Sequence, residues 1–182
     1  LIFLLTQYNS VSLHQHIAAT YRFDQFSGGH VRVLAAEQTP DSDVWFQGTA
    51  DAVRRSMRYF KDDRPDLVVI LSGDQLYRMN VQEVIDTHLK SGAEITVSTT
   101  PVDREAARSL GIMQVNDQGQ VVQFVEKPAE NAVLDGLAVN DRQDAFLASM
   151  GIYVFNMDVL CSLLEQNNQT DFGKHIIPEA IH

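Results

Sequence analysis

A carboxylate placed just past an apolar run is the first candidate for chemistry. Leu67-Val68-Val69-Ile70-Leu71 contains no polar residue, and Ser72-Gly73-Asp74 follows it. A strand without a polar face reads as covered on both sides by helices, as in a mainly parallel α/β sheet. Ligands of such sheets sit beyond the carboxyl ends of the strands. Asp74 therefore stands where a substrate would be expected, or a hard cation such as Mg2+, which takes oxygen ligands and bridges phosphates. The competing reading is a loop aspartate that caps the next helix.

Three other places could carry chemistry. Gly48-Thr49 opens a helical pattern. The free N–H groups of a helix start can hold a phosphate or the edge of a base. Thr49 can also simply cap the helix, with Asp51 suiting its positive end. Glu126-Lys127 sets a carboxylate beside an ammonium, just before Pro128. Neighbours on a strand point to opposite faces, so a surface pair is the default. If the strand ends there, the two can converge on a sugar hydroxyl and a phosphate. Ser149 opens the apolar run to Phe155, a position that is usually structural. No GxGxxG, complete Walker loop, HExxH or G-x-S-x-G is present. Dinucleotide hydride transfer, P-loop hydrolysis, zinc proteolysis and serine hydrolysis thus lack their usual support.

The elements that must position these residues follow from periodicity. Leu1 to Leu5, Val31 to Ala35, Leu67 to Leu71, Ile95 to Thr99 and Ser149 to Phe155 read as strands. Helices are expected from Asn9-Ser10 to about Thr20, and across Val53, Met57 and Phe60 at i, i+4, i+7. Another should start at Asn80, with Glu83 completing a capping box, and stop at Ser91-Gly92. His88 lies on its apolar stripe and reads as packed, while His14 and His16 read as surface histidines. Asn156 is expected to cap a helix bearing Met157, Leu160, Leu163 and Leu164. Asp171-Phe172-Gly173 opens a last helical segment, expected to break near Pro178. Asn116-Asp117-Gln118-Gly119 joins two short runs into a β-hairpin, so the sheet should be mixed. Ala129 to Ala145 reads as polar and irregular.

Bulk properties limit the function classes. The chain has 182 residues, 45% of them apolar, enough for a sizeable α/β domain. A formal charge of −10 argues against non-specific nucleic-acid binding, which needs a basic face. No apolar run approaches the roughly 18 residues of a membrane span. Cys161 is the single cysteine, which excludes an internal disulfide and fits a reducing compartment.

In order along the chain stand Leu5-Thr6-Gln7-Tyr8-Asn9-Ser10, Trp45-Phe46-Gln47-Gly48-Thr49-Ala50-Asp51-Ala52-Val53, Leu71 to Met79, Phe124-Val125-Glu126-Lys127-Pro128, Ser149 to Phe155 and Asp171-Phe172-Gly173. Together they resemble the ADP-glucose pyrophosphorylases (glucose-1-phosphate adenylyltransferases) of the sugar nucleotidyltransferase superfamily, from Leu1 to His182. The resemblance implies a Rossmann-like, GT-A-like α/β fold whose mixed, mainly parallel sheet is flanked by helices and carries an inserted hairpin. It implies adenylyl transfer from ATP to α-glucose 1-phosphate, giving ADP-glucose and pyrophosphate, with Mg2+, in glycogen or starch synthesis. Asp74 then corresponds to the metal-binding catalytic aspartate. Gln38 corresponds to the glutamine that reads the adenine edge and Gly48 to the glycine whose backbone approaches the base, with Thr49 beside it on the nucleotide side. Gly111 would contact glucose through its backbone, Glu126 and Ser149 would bind the sugar, and Lys127 its phosphate. Gln75 and Asn80 depart from the histidine and aspartate usual in the family.

The resemblance further implies a partial catalytic domain over 1–182, inactive alone. A glycine-rich loop is expected before Leu1. A second metal aspartate and a β-helix domain are expected after His182. The parent is expected to be an allosteric homotetramer in the cytoplasm, or in the plastid for a plant-type source. The alternatives are a pyrophosphorylase using UTP, dTTP or GTP, against which Gln38 and Trp45 to Val53 favour ATP by resemblance, and a non-catalytic regulatory subunit, against which the retained Asp74 and Lys127 argue.

Overall fold

The computed structural model describes residues 1–23, 29–36, 45–139 and 145–181. The chain divides into two compact units, Leu1–Asp63 and Arg64–His182. Composition does not announce this division, which falls within the turn Asp62-Asp63-Arg64-Pro65.

The first unit opens as strand–helix–strand. β1 (Ile2–Thr6) and β2 (Val31–Ala35) pair in parallel, Ile2 opposite Val31 and Thr6 opposite Ala35. α1 (Ser10–Thr20) connects them; none of its residues is buried. His14 Nε2 lies 3.1 Å from Thr6 Oγ1, a local tie rather than a ligand position. α2 (Thr49–Ser56) runs into a single 3-10 turn, Met57–Tyr59. The expected apolar stripe is what it buries: Val53, Met57 and Phe60 are each under a tenth exposed. Burying each is worth about 1.5–3 kcal/mol. Phe60 packs its ring 5.6 Å from that of Phe3.

In the second unit the strands are β3 (Leu67–Ile70), β4 (Ile95–Val102), β5 (Gly111–Val115), β6 (Val121–Glu126) and β7 (Phe146–Asn156). β7 is the hub, pairing with β3, β4 and β5, and β6 pairs with β5. The α/β class and the inserted β5–β6 hairpin are as expected. The balance of directions is not. Among the described residues the parallel ladder is β1–β2, and every ladder of the five-stranded sheet is antiparallel. An apolar run reports covered faces, not the direction of its neighbours. β3 gains its neighbour from β7, a strand much later in the chain.

Helices of this unit are α3 (Val81–Ser91), α4 (Arg104–Ala107), α5 (Asn131–Leu137), α6 (Met157–Gln166) and α7 (Ile177–Ala180), the last preceded by a π-helical turn, Phe172–Ile176. Asn80 caps α3 by accepting from Gln82 N at 3.1 Å, and Gly92 ends it at φ 65°. The hairpin turn is closed by Asn116 Oδ1, which accepts from the N–H groups of Gln118 and Gln120. His88 is packed as expected. Its Nε2 lies 3.0 Å from Asn156 Oδ1, an acceptor, and its Nδ1 lies 2.8 Å from Thr96 Oγ1.

Three expectations need correction. Asn156 occupies the start of α6 but makes no side-chain cap bond, because its amide oxygen serves His88. The stretch read as irregular contains α5, whose Leu134 and Leu137 join Ile112, Phe146 and Ala148 in a core cluster. Only these two residues mark the buried face, and Gly136 weakens the helical signal. Pro178 does not break the last helix; it sits in the first turn of α7, where its missing N–H is not needed. No helix among the described residues is long and apolar enough to cross a membrane.

Candidate functional site

The exit of β3 is laid against the middle of β7. Gln75 Nε2 donates to Met150 O, and Ser72 Oγ donates to Asp74 Oδ1. Gly151, at φ 64°, takes a left-handed step in β7 and passes close to Ser72. A Cβ there would lie 3.2 Å from Ser72 Cβ. Asp74 does not cap α3, since Asn80 does. Its carboxylate stays exposed at the strand end. Among the described residues, no three His, Cys, Asp or Glu side chains gather into a metal-holding group. An exposed carboxylate beside a hydroxyl nevertheless fits Mg2+. That ion keeps several waters and is usually held by one or two carboxylates plus substrate phosphates.

At the end of β6 the question of divergence or convergence is answered. Lys127 takes φ 49°, with its N–H donating to Leu110 O at 3.0 Å. The left-handed step breaks the strand's alternation, and Lys127 Nζ comes to 3.9 Å from Glu126 Oε1. The pair is open to solvent, 58% exposed at the lysine and 26% at the glutamate. Exposed ion pairs are worth about 0–1 kcal/mol. A non-glycine residue in the left-handed region costs about 1–3 kcal/mol. The pair therefore does not offset its own backbone, and such strain is typical of ligand-holding positions.

Glu126 is tightly housed. Gly111 faces it across the β5–β6 ladder. A Cβ on Gly111 would lie 2.8 Å from Glu126 Oε2 and 2.5 Å from Phe124 Cζ, so only glycine fits. The structure thus gives Gly111 a reason of its own: room for the Phe124 ring and for the Glu126 carboxylate. Gly173 lies against the same oxygen. Beside it, Asp171 Oδ1 accepts from Lys174 N at 2.9 Å and caps the π-helical turn.

Ser149 and Tyr153 complete this side. Ser149 Oγ accepts from Gly151 N at 3.2 Å and is hydrogen-bonded to Tyr153. Tyr153 is only 6% exposed. Its burial pushes the phenol above the ordinary 10.0, and the Asp171 and Glu126 charges add to this against the Ser149 hydrogen bond. At neutral pH Tyr153 keeps its proton.

The nucleotide-side candidates belong to the first unit. Gly48, not Thr49, holds the cap position of α2, and Gly48 O accepts from Ala52 N at 3.0 Å. Thr49 is the first helical residue. Asp51 reaches back to accept from Gln47 N at 2.9 Å, and its carboxylate faces Arg54 and Arg55 at 3.6 and 4.0 Å. The approach to α2 is held by Gln7 Oε1, which accepts from Phe46 N at 2.9 Å, and by Tyr8 and Trp45, whose rings are 5.1 Å apart. Gln38 lies outside the described residues.

The sequence alone assigns no site role to Asp171, Tyr153 or Gly173. Asp171 read only as a helix start, although its Asp-Phe-Gly triplet was among the motifs. Tyr153 lies four residues beyond Ser149 on β7, the one signal that could have found it. A family model described as nucleotidyl transferase matches residues 1–182. The match takes in both units and every residue named above, and on it the chain belongs to the nucleotidyl transferase family, enzymes that transfer a nucleotidyl group.

Proposed function

We propose that this chain carries the site for adenylyl transfer from ATP to α-glucose 1-phosphate, giving ADP-glucose and pyrophosphate. The observation that carries the reading is the left-handed Lys127, which turns an ammonium onto the same side as the Glu126 carboxylate. A sugar phosphate needs that combination: an acceptor for hydroxyls and a cation for the phosphate. The finer choice of ATP and glucose rests on the resemblance of the motifs.

In this reaction a phosphate oxygen of glucose 1-phosphate attacks the α-phosphorus of ATP. The bond from that phosphorus to the oxygen bridging to the β-phosphate breaks, and pyrophosphate leaves. Such a transfer needs positioning and charge neutralisation more than covalent help. Lys127 holds the attacking phosphate as a point charge. Glu126 accepts from sugar hydroxyls. Tyr153, kept protonated, steadies Ser149, whose hydroxyl meets the sugar. Gly48, Thr49 and Gln38 serve the nucleotide. Asp74 would hold Mg2+, which when bound neutralises charge on the phosphates. A homotetrameric parent, allosteric control and a cytoplasmic or plastid location belong to the same proposal.

The test is a nucleotide panel on the whole gene product with glucose 1-phosphate. ADP-glucose should form from ATP at a kcat/KM well above those with UTP, dTTP or GTP. A preference for one of those would replace the adenylyl assignment. Absence of any sugar nucleotide would favour a non-catalytic subunit.

A further inference from the structure

Gly173 is an odd residue for its place. It stands inside the helical turn Phe172–Ile176, where glycine is the least favourable residue after proline. Its backbone does not require glycine, for it is absent from the residues at positive φ, where Gly92, Gly119 and Gly151 are found. The explanation lies in what a side chain would meet. A Cβ on Gly173 would come 3.2 Å from Glu126 Oε2, 3.5 Å from Asp171 Oδ1 and 3.8 Å from Glu126 Cδ. From the other side, a Cβ on Gly111 would come 2.8 Å from that same Oε2. One carboxylate oxygen is thus lodged between two bare backbones, one at the start of β5 and one in the π-helical turn.

The turn has little freedom to retreat. Phe172 and Ile176 are buried, at 1% and 0% exposure. The Phe172 ring packs 5.6 Å from Tyr153 and 5.7 Å from Phe155. Asp171 is fixed by the Lys174 N–H. When atoms are added at 173, the part that moves is the end of the Glu126 side chain.

We infer that Gly173 is a positioning residue: it leaves the room that lets the Glu126 carboxylate stand where it meets the sugar. The inference rests on the sugar reading of Glu126 proposed above. Gly173→Ala should raise KM for glucose 1-phosphate several-fold, with KM for ATP within about twofold and kcat little changed. The unfolding midpoint should not fall, since alanine suits a helical turn better than glycine.

A double-mutant cycle in the whole gene product decides the matter. In a Glu126→Ala background, Gly173→Ala should have no further effect on KM, because the carboxylate it displaces is gone. An equal rise in KM for both substrates overturns the inference, and so does a full Gly173→Ala effect in that background. If Gly173→Ala lowers the unfolding midpoint, the double variant should regain it; failure to regain it also overturns the inference. Glu126→Ala with raised KM beside a silent Gly173→Ala would sink this inference alone. Glu126→Ala with unchanged KM would sink the sugar reading and the inference with it.

Discussion

Two strand exits in the second unit, β3 and β6, carry the candidate carboxylates, and they are built differently. At the β3 exit Asp74 is exposed and accepts a hydrogen bond from the Ser72 hydroxyl. At the end of β6 Glu126 is wedged between Gly111 and Gly173, and just beyond it a left-handed backbone turns Lys127 toward it. The difference is one of preorganisation. A sugar has fixed hydroxyl directions, and its receptor gains from groups already in place. A Mg2+ ion brings waters and phosphates of its own, so an open carboxylate suits it.

The largest effect that would sharpen this contrast is at the open end. Asp74→Asn should lower kcat on the order of 100-fold, the scale of losing one group that stabilises charge in the transition state. The unfolding midpoint should stay near wild type, because the side chain is exposed. A variant keeping most of its rate would remove Asp74 from the chemistry.

A smaller effect probes the closed end. Tyr153 has a folded pKa above its ordinary 10.0. The protonated phenol's contribution to stability is therefore fully present below about pH 10 and is lost as pH rises through the folded value. Tyr153→Phe removes this titration. Relative to its own midpoint near neutrality, the variant should lose less stability above about pH 10 than wild type does. At neutral pH it should lose about 1 kcal/mol for the missing hydroxyl. Thermal unfolding followed against pH measures both. An identical alkaline loss in the two proteins would show that the buried phenol contributes nothing to it.

How far these two ends were legible in the sequence depends on how local their causes are. Asn80, the Asn116-to-Gly119 turn and the Val53, Met57, Phe60 stripe act within a few residues, and each formed the expected element, although Glu83 accepts from the Asn80 side-chain amide at 3.0 Å and does not close a capping box. The strand ends, expected at Leu71 and Glu126 and found at Ile70 and Glu126, could be seen for the same reason. Long-range causes left no local trace. Asn156 gives its amide oxygen to His88, 68 positions away. β3 takes β7 as its neighbour, which no apolar count could reveal. The two glycines against Glu126, Gly111 and Gly173, come from separate segments, and nothing in a single glycine says which carboxylate will lie against it. Lys127 is the intermediate case. The following proline marked a strand end, but the left-handed φ that decides convergence is a property of the folded backbone.

The central claim is that the β6 exit binds the sugar phosphate and not the nucleotide. Steady-state kinetics of Lys127→Ala against wild type tests it most directly. Losing a hydrogen bond to a charged group is worth about 1.5–3 kcal/mol, or roughly 10-fold to 100-fold in affinity. KM for glucose 1-phosphate should rise by that factor while KM for ATP stays within about twofold. Equal increases in both constants, or an increase for ATP alone, would contradict the account.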